Sequence, residues 1–353
     1  MSAAVDSAST AAAAIIFAVA AAISAGLIVL LYPWLKRHAL AEPNARSSHH
    51  TPTPQGGGIA VIAAVVAAVG VALAFRLFGA AADSSLPAII IAAVLMAGIG
   101  AADDFHPLPA GPRLLLQAIL IAGVIYALPA GLRVVSFLPW WLERALMVLG
   151  GLWFVNLVNF MDGLDWMTVA EVMPLSAGVV ICASAGALPP QCMLLALALG
   201  GAVFGFAYFN RPVARLFLGD VGSLPIGLML GWLLLFLAAR GHLVAAIVMP
   251  LYYLADATIT LLRRLVGGEP VWRAHRTHFY QIATDRGFGV IDVVARVFLV
   301  NVGLGALAVM TVLVPGKPTD IAALAAGGAL VAWLLAAFAR GKKNSSSPPL
   351  SGR

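Results

Sequence analysis

The residues with the most chemical promise stand in the stretch Asn156–Trp166, where Asn156, Asn159, Asp162 and Asp165 follow one another at three-residue spacing out of an apolar run. On a helix end and the turn after it, that spacing stacks the four polar groups near one face. A charged residue costs about 2.5–3.5 kcal/mol at the centre of a membrane-spanning helix, so such a stripe calls for a compensating partner. Oxygen donors at a membrane surface can hold a hard cation or a ligand's polar edge. The plain alternative is a polar helix end that meets water.

Four further groups carry chemical types. Asp103 and Asp104 are adjacent carboxylates, which repel unless one is protonated or a cation stands near, so a base and a metal neighbour are both open. Asp220, in FLGDVGS, lies between glycines at the start of an apolar run, where free helix N–H groups suit a phosphate or metal-phosphate. Asp220 or Ser223 could equally be a helix cap with no ligand. His275, Arg276 and His278, close to Arg273, offer imidazoles and a guanidinium fork shaped for pyrophosphate; a basic loop on anionic lipid heads explains the arginines better than the histidines. Arg46, His49 and His50, before PTPQGGG, form a weaker set of the same kind. Asp256 stands inside an apolar run about two turns before Arg263 and Arg264, as a functional group or as a structural pair. Oxygen ligands without a thiolate cluster favour magnesium over zinc, and magnesium with Arg and His clamps is what phosphoryl transfer asks for.

The elements that must position these groups are apolar helices. The chain has 353 residues, 62% hydrophobic and 10% charged, with a mean hydropathy of +0.98, a composition outside that of soluble domains. The fold class expected is all-α, a polytopic integral membrane protein with about eleven transmembrane helices, near 11–33, 57–78, 87–102, 114–129, 142–158, 167–186, 192–209, 222–239, 243–262, 290–313 and 319–339. One catalytic transmembrane domain covers 1–340, and 341–353 is a disordered basic tail. The first run lacks a basic flank and is too long for a signal peptide's core, so it reads as a retained span. Cys182 and Cys192 read as packing rather than a bridge.

Lys and Arg number fifteen in the connections and tail that follow odd-numbered spans and five on the other side. That bias places the N-terminus outside and the C-terminus in the cytoplasm. It also accounts for the net charge of +6 without a nucleic-acid partner. All the unusual polar loops follow odd-numbered spans and so share the cytoplasmic face. One-sided chemistry argues against a channel or an alternating-access carrier and suits an enzyme that takes a soluble substrate from the cytoplasm and a lipid from the bilayer.

The ordered set RSSHHTPTPQGGG, DDFHPLPAGPRLLLQ, NLVNFMDGLDW, FLGDVGSLPIG and LADATITLLRRL followed by HRTHFYQ, over residues 46 to about 287, resembles the polyprenyl-phosphate N-acetylhexosamine-1-phosphate transferases, glycosyltransferase family 4. The likeness is greatest to the bacterial undecaprenyl-phosphate branch. It implies transfer of a sugar 1-phosphate from a UDP-N-acetylhexosamine to undecaprenyl phosphate, with magnesium or manganese and release of UMP. The lipid pyrophosphoryl sugar would start O-antigen (lipopolysaccharide), cell-wall or exopolysaccharide synthesis at the bacterial inner membrane. By position, the resemblance implies Asp220 and Asn159 as metal ligands and Asp103 and Asp104 as the catalytic pair near the lipid phosphate. It implies Asp162, Asp165 and Asn210 around the nucleotide, with Asp165 at the uracil, and His275, Arg276 and His278 on the pyrophosphate; Asn156 of the stripe is a further substrate-binding candidate, and a homodimer is a further expectation. Trp166 stands where the family usually has Gly, and Gln55 where it usually has Arg. The other readings are a polyprenyl-linked lipid flippase or exporter, for which only Asp256 supplies a polar group within a span, and a non-catalytic relative that binds the carrier lipid or nucleotide. The spacing that marks CDP-alcohol phosphotransferases is absent.

Overall fold

Apolar runs of this length have one way to satisfy their backbone in lipid, which is to coil. The computed structural model describes residues 2–41, 52–77, 85–269 and 275–342; Arg46, His49, His50, Arg273 and most of the expected basic tail lie outside the described residues. The helices are α1 (Ser2–His38), α2 (Gly57–Ala74), α3 (Ser85–Phe105), α4 (Ala110–Ala127), α5 (Trp140–Met161), α6 (Met167–Ser184) and α7 (Pro190–Ala207), then α8 (Asp220–Ala239), α9 (Leu243–Val248), α10 (Leu251–Val266), α11 (Phe279–Asp285), α12 (Val290–Leu313) and α13 (Lys317–Arg340). Two strands of two residues, β1 (Leu40–Ala41) and β2 (Thr53–Pro54), pair antiparallel between α1 and α2.

Among the described residues, ten helices are long and apolar enough to cross a membrane, which makes this an all-α polytopic membrane protein. The exception among the eleven expected spans is 243–262, which is two helices broken at Met249–Pro250. Pro250 has no N–H to donate and its ring crowds the preceding turn, and beyond it α10 is amphipathic. It buries Tyr252, Tyr253, Asp256 and Thr260 while exposing Ile259, Leu262, Leu265 and Val266.

The layering follows how apolar each helix is all round. The buried share is 83% for the α8 window and 78% for α7, against 22% for α1 and α4, so α7 and α8 form the middle of the bundle. α1, α2 and α6 pack on α7; α3 and α5 pack on α8; α12 packs on α6 and α13 on α12. The segment entering α2 is laid along the segment entering α8. Phe217 N–H donates to Pro54 O at 2.8 Å, Gly57 N–H to Phe217 O at 2.9 Å and Gly58 N–H to Leu218 O at 2.9 Å. This short ladder sets the start of α8 beside the ends of α3 and α5.

Candidate functional site

The site is built where α3 and α5 end and α8 begins. At the first residue before α8 the chain turns through Gly219, with φ of 78°, a left-handed conformation that costs other residues about 1–2 kcal/mol. A Cβ there would stand 2.6 Å from Asp104 Oδ2. With no side chain at that position, α8 takes its cap from another helix: Asp220 N–H donates to Asp104 Oδ1 at 3.0 Å and Val221 N–H to Asp104 Oδ2 at 3.1 Å. The cap expected of Asp220 or Ser223 is therefore supplied by Asp104, and the Asp220 carboxylate is left for other partners.

The adjacent carboxylates thus have different surroundings. Asp103 Oδ1 accepts the Leu108 N–H at 2.7 Å, and its Oδ2 is ion-paired with Arg113, whose Nη1 is also 3.7 Å from Asp220 Oδ2. Arg113 lies in the first turn of α4, where a positive charge opposes the helix dipole. Its two carboxylate contacts account for that placement. Across the mouth, Asn159 Nδ2 donates to Asp220 Oδ1 and to Ser223 Oγ, both at 2.8 Å. These bonds engage the amide NH2 and leave the Asn159 carbonyl oxygen as an acceptor. Asp162, just past α5, accepts a hydrogen bond from Thr168. Burial, with the charges of Asp220, Asp104 and Asp165 adding, pushes the Asp162 carboxyl up to about 8.

Asp165 and Asn210 are buried and clamp two loops together. Asp165 Oδ2 accepts the Ala214 N–H at 2.9 Å; Asn210 Oδ1 accepts the Trp166 N–H at 2.8 Å, and Asn210 Nδ2 donates to Leu216 O at 3.0 Å. Trp166 takes the left-handed conformation itself, φ 65°, a conformation that favours glycine. Its indole N–H donates to Ala207 O at 2.6 Å, so the bulky side chain is anchored against α7. Asn156 is not brought to this cluster: it is buried between helices, donating to Gln117 Oε1 on α4 at 2.7 Å and to Leu152 O at 2.9 Å.

The histidine loop reaches the same end of the bundle. Tyr280 OH donates to Phe160 O at 3.0 Å, next to the acidic turn, and His278 Nδ1 is 3.2 Å from Asp256 Oδ1. His275 Nδ1 is 2.9 Å from Thr277 Oγ1, and Arg276 is ion-paired with Asp285 at 3.1 Å. Gln55 Nε2 donates to the Asp104 backbone carbonyl at 3.0 Å, so its contact is to the chain of the acidic pair and not to a carboxylate.

Arg113, Thr168 and Tyr280 are the site residues that sequence reasoning passed over. Arg113 was visible as a basic residue in a helix's first turn, ten positions after Asp103, though it counted only towards topology. Among the described residues no group of three or more His, Cys, Asp or Glu side chains is placed to hold a metal ion. The donor set is an open one of carboxylate and amide oxygens, the kind that suits a hard cation completed by phosphate and water.

The profile described as glycosyl transferase family 4 matches residues 86–238. The chain is 27% identical over 272 residues, 72% of its length and 73% of the relative's, to a Bacillus subtilis (strain 168) protein named "Probable undecaprenyl-phosphate N-acetylglucosaminyl 1-phosphate transferase". To the decaprenyl-phosphate N-acetylglucosaminephosphotransferase of Mycobacterium tuberculosis (strain CDC 1551 / Oshkosh) it is 32% identical over 218 residues, 54% of this chain and 52% of that one, so the match spans about half of the mycobacterial relative. To the phospho-N-acetylmuramoyl-pentapeptide-transferase of Streptococcus pneumoniae serotype 19F (strain G54) it is 28% identical over 255 residues, 65% of this chain and 73% of that one. The matched region, residues 86–238, contains Asp103, Asp104, Arg113, Asn159, Asp162 and Asp220, the residues of the acidic mouth, and over that region the chain is similar to glycosyl transferase family 4.

Proposed function

We propose that this protein transfers N-acetylhexosamine 1-phosphate from a UDP-sugar to undecaprenyl phosphate at the bacterial inner membrane, releasing UMP. The observation that carries the reading is one convergence. Asp104, Asn159 and Asp220 meet at the N-terminus of α8, Arg113 links Asp103 to Asp220, and Tyr280 ties the histidine loop to the turn that carries Asp162. The relatives' names supply the reaction class: each names a transferase, and those of the Bacillus and mycobacterial proteins name a polyprenyl-phosphate acceptor. The charge bias of the connections supports a cytoplasmic site, an outer N-terminus and a cytoplasmic C-terminus.

Asp220 and Asn159 would hold a magnesium ion, with Asp162 beside them; when bound, the ion neutralises charge on the donor's phosphates. Manganese meets the same oxygen preference. Asp104 keeps Asp220 in register by capping α8. Arg113, balanced between Asp103 and Asp220, supplies a guanidinium for the acceptor phosphate. His275, Arg276 and His278 lie at the same end of the bundle to clamp the donor pyrophosphate. A lipid phosphate oxygen attacks the donor's β-phosphorus, the new O–P bond forms, and the bond from that phosphorus to the bridging oxygen breaks. UMP departs with the bridging oxygen.

The acceptor's chain needs an apolar path. A cavity of about 270 Å³ lies between α4, α5, α8 and α9, walled by Ile121, Gly151, Phe154, Gly231, Trp232 and Ile247, and is suited to isoprenoid segments. The test is Asp220→Asn in purified protein with undecaprenyl phosphate and UDP-N-acetylhexosamines. Turnover should be lost with unfolding unchanged; near-parental turnover would remove Asp220 from the site.

A further inference from the structure

Asp256 is an ionisable residue with 0% exposure in a chain where an uncompensated buried charge is expensive. Its two oxygens take more partners than a pairing role needs. Oδ1 lies 3.2 Å from His278 Nδ1 and accepts the Phe279 N–H at 3.0 Å and the Thr260 hydroxyl at 3.4 Å. Oδ2 accepts the Tyr252 hydroxyl at 3.1 Å and the Tyr280 N–H at 3.2 Å. The carboxylate therefore caps α11 from another helix, as Asp104 caps α8. His278 and Gln281 form a capping box on the same turn, the Gln281 side chain accepting the His278 N–H at 3.3 Å, so the His278 ring stands between that box and the Asp256 carboxylate.

The His278 side chain is only 3% exposed, and its ring stacks with two neighbours. His275 stacks at 4.9 Å with an interplanar angle of 28°, and Tyr280 stacks at 5.7 Å and 20°. Tyr280 is in turn fixed through its hydroxyl to Phe160 O, against Gly163, where a Cβ would lie 2.1 Å from that hydroxyl. A carboxylate facing Nδ1 fixes a proton there and leaves Nε2 as the ring's other edge. The break at Pro250 is what brings α10, and so Asp256, to this position.

We propose that Asp256 is a positioning residue for the donor site, which fixes the tautomer and orientation of His278 so that Nε2 is presented to the donor's pyrophosphate. This rests on the transferase reading above. Asp256→Asn removes the negative charge from the position that His278 Nδ1 and the Phe279 N–H share at Oδ1, and with it the preference for a proton on Nδ1. The expected result is a rise of about 10–100-fold in the KM for the UDP-sugar, the scale on which losing a carboxylate that orients a metal-bound histidine acts. The KM for undecaprenyl phosphate should stay within about twofold. His278→Gln should show the same donor-side defect, and the double variant should add nothing to it. The series is run in parallel on ¹⁵N-histidine-labelled protein in micelles, with His278 assigned from His278→Gln. The parent should carry the proton on Nδ1, and Asp256→Asn should lose it.

Equal donor KM in parent and Asp256→Asn, or an unchanged His278 tautomer, would overturn the proposal while leaving the transferase reading in place. Absence of transfer by the parent from every donor would instead sink the transferase reading, and the tautomer measurement would still decide the clamp. Should Asp256→Asn fail to fold, a normal donor KM in His278→Gln overturns the proposal.

Discussion

Removing the Arg113 guanidinium tests how the acidic mouth is held together. The described carboxylates at this point are Asp103, Asp104, Asp162, Asp165 and Asp220, and Arg113 contacts two of them. At the 3.7 Å separation from Asp220, the gross attraction is about 4 kcal/mol at an effective dielectric of about 20. The closer pair with Asp103 contributes more. Desolvation offsets much of this, since the Arg113 side chain is only 21% exposed; hydrogen bonds to charged groups contribute about 1.5–3 kcal/mol net. Arg113→Gln should therefore cost about 2–4 kcal/mol of stability in the presence of a chelator, and Arg113→Lys about half of that, because the charge returns without the fork. Magnesium bound as proposed would replace part of the missing charge, so millimolar magnesium should restore more stability to Arg113→Gln than it adds to the parent. The assay is equilibrium unfolding in mixed micelles with and without magnesium. A loss below about 0.5 kcal/mol in chelator, the ordinary range for a surface change, would show that Arg113 does not balance the cluster.

Three further outcomes follow from the site. Asp220→Asn should lower turnover by at least about 100-fold, in the range seen when a charge-stabilising group is removed, while the unfolding midpoint stays with the parent; an equal fall in both would mark Asp220 as structural. With its carboxyl pushed up to about 8, Asp162 binds its proton more tightly folded than unfolded, so its contribution to metal-free stability is full below about pH 4 and declines as pH rises towards 8. Asp162→Asn should flatten that decline, and a parallel profile in the two proteins would remove Asp162 as its source. Trp166→Gly relieves about 1 kcal/mol of left-handed strain but loses the indole bond to Ala207 and its packing, a net cost of about 2 kcal/mol on the scale of aromatic truncations. Donor preference should broaden in a competition assay, and unchanged stability and preference would deny the side chain both roles.

Most helix positions were legible because a run of about twenty apolar residues leaves the backbone one choice. The expected 290–313 is observed as Val290–Leu313, and 222–239 as Asp220–Ala239. The ninth span failed for a reason hydropathy does not carry. Pro250 ends one helix and starts another, whereas Pro174 and Pro225 lie inside unbroken α6 and α8, so a proline alone does not locate a break. Of the site, the acidic residues were legible by type and spacing, but their division of labour was not. Asp104 caps a helix 116 residues further along the chain, and the partner of Asp256 is an imidazole on a separate loop. Both are tertiary bonds that no local pattern encodes. Asn156 shared the three-residue spacing of the stripe, yet its place one turn deeper in α5 turns it to Gln117.

The central claim meets its most direct test in a transfer assay with purified protein, undecaprenyl phosphate, magnesium and a panel of radiolabelled UDP-N-acetylhexosamines. The account predicts label in the lipid phase matched mole for mole by UMP in the aqueous phase, dependent on the divalent cation and abolished in Asp220→Asn. Folded parent protein that binds the lipid but moves no label from any donor would contradict it.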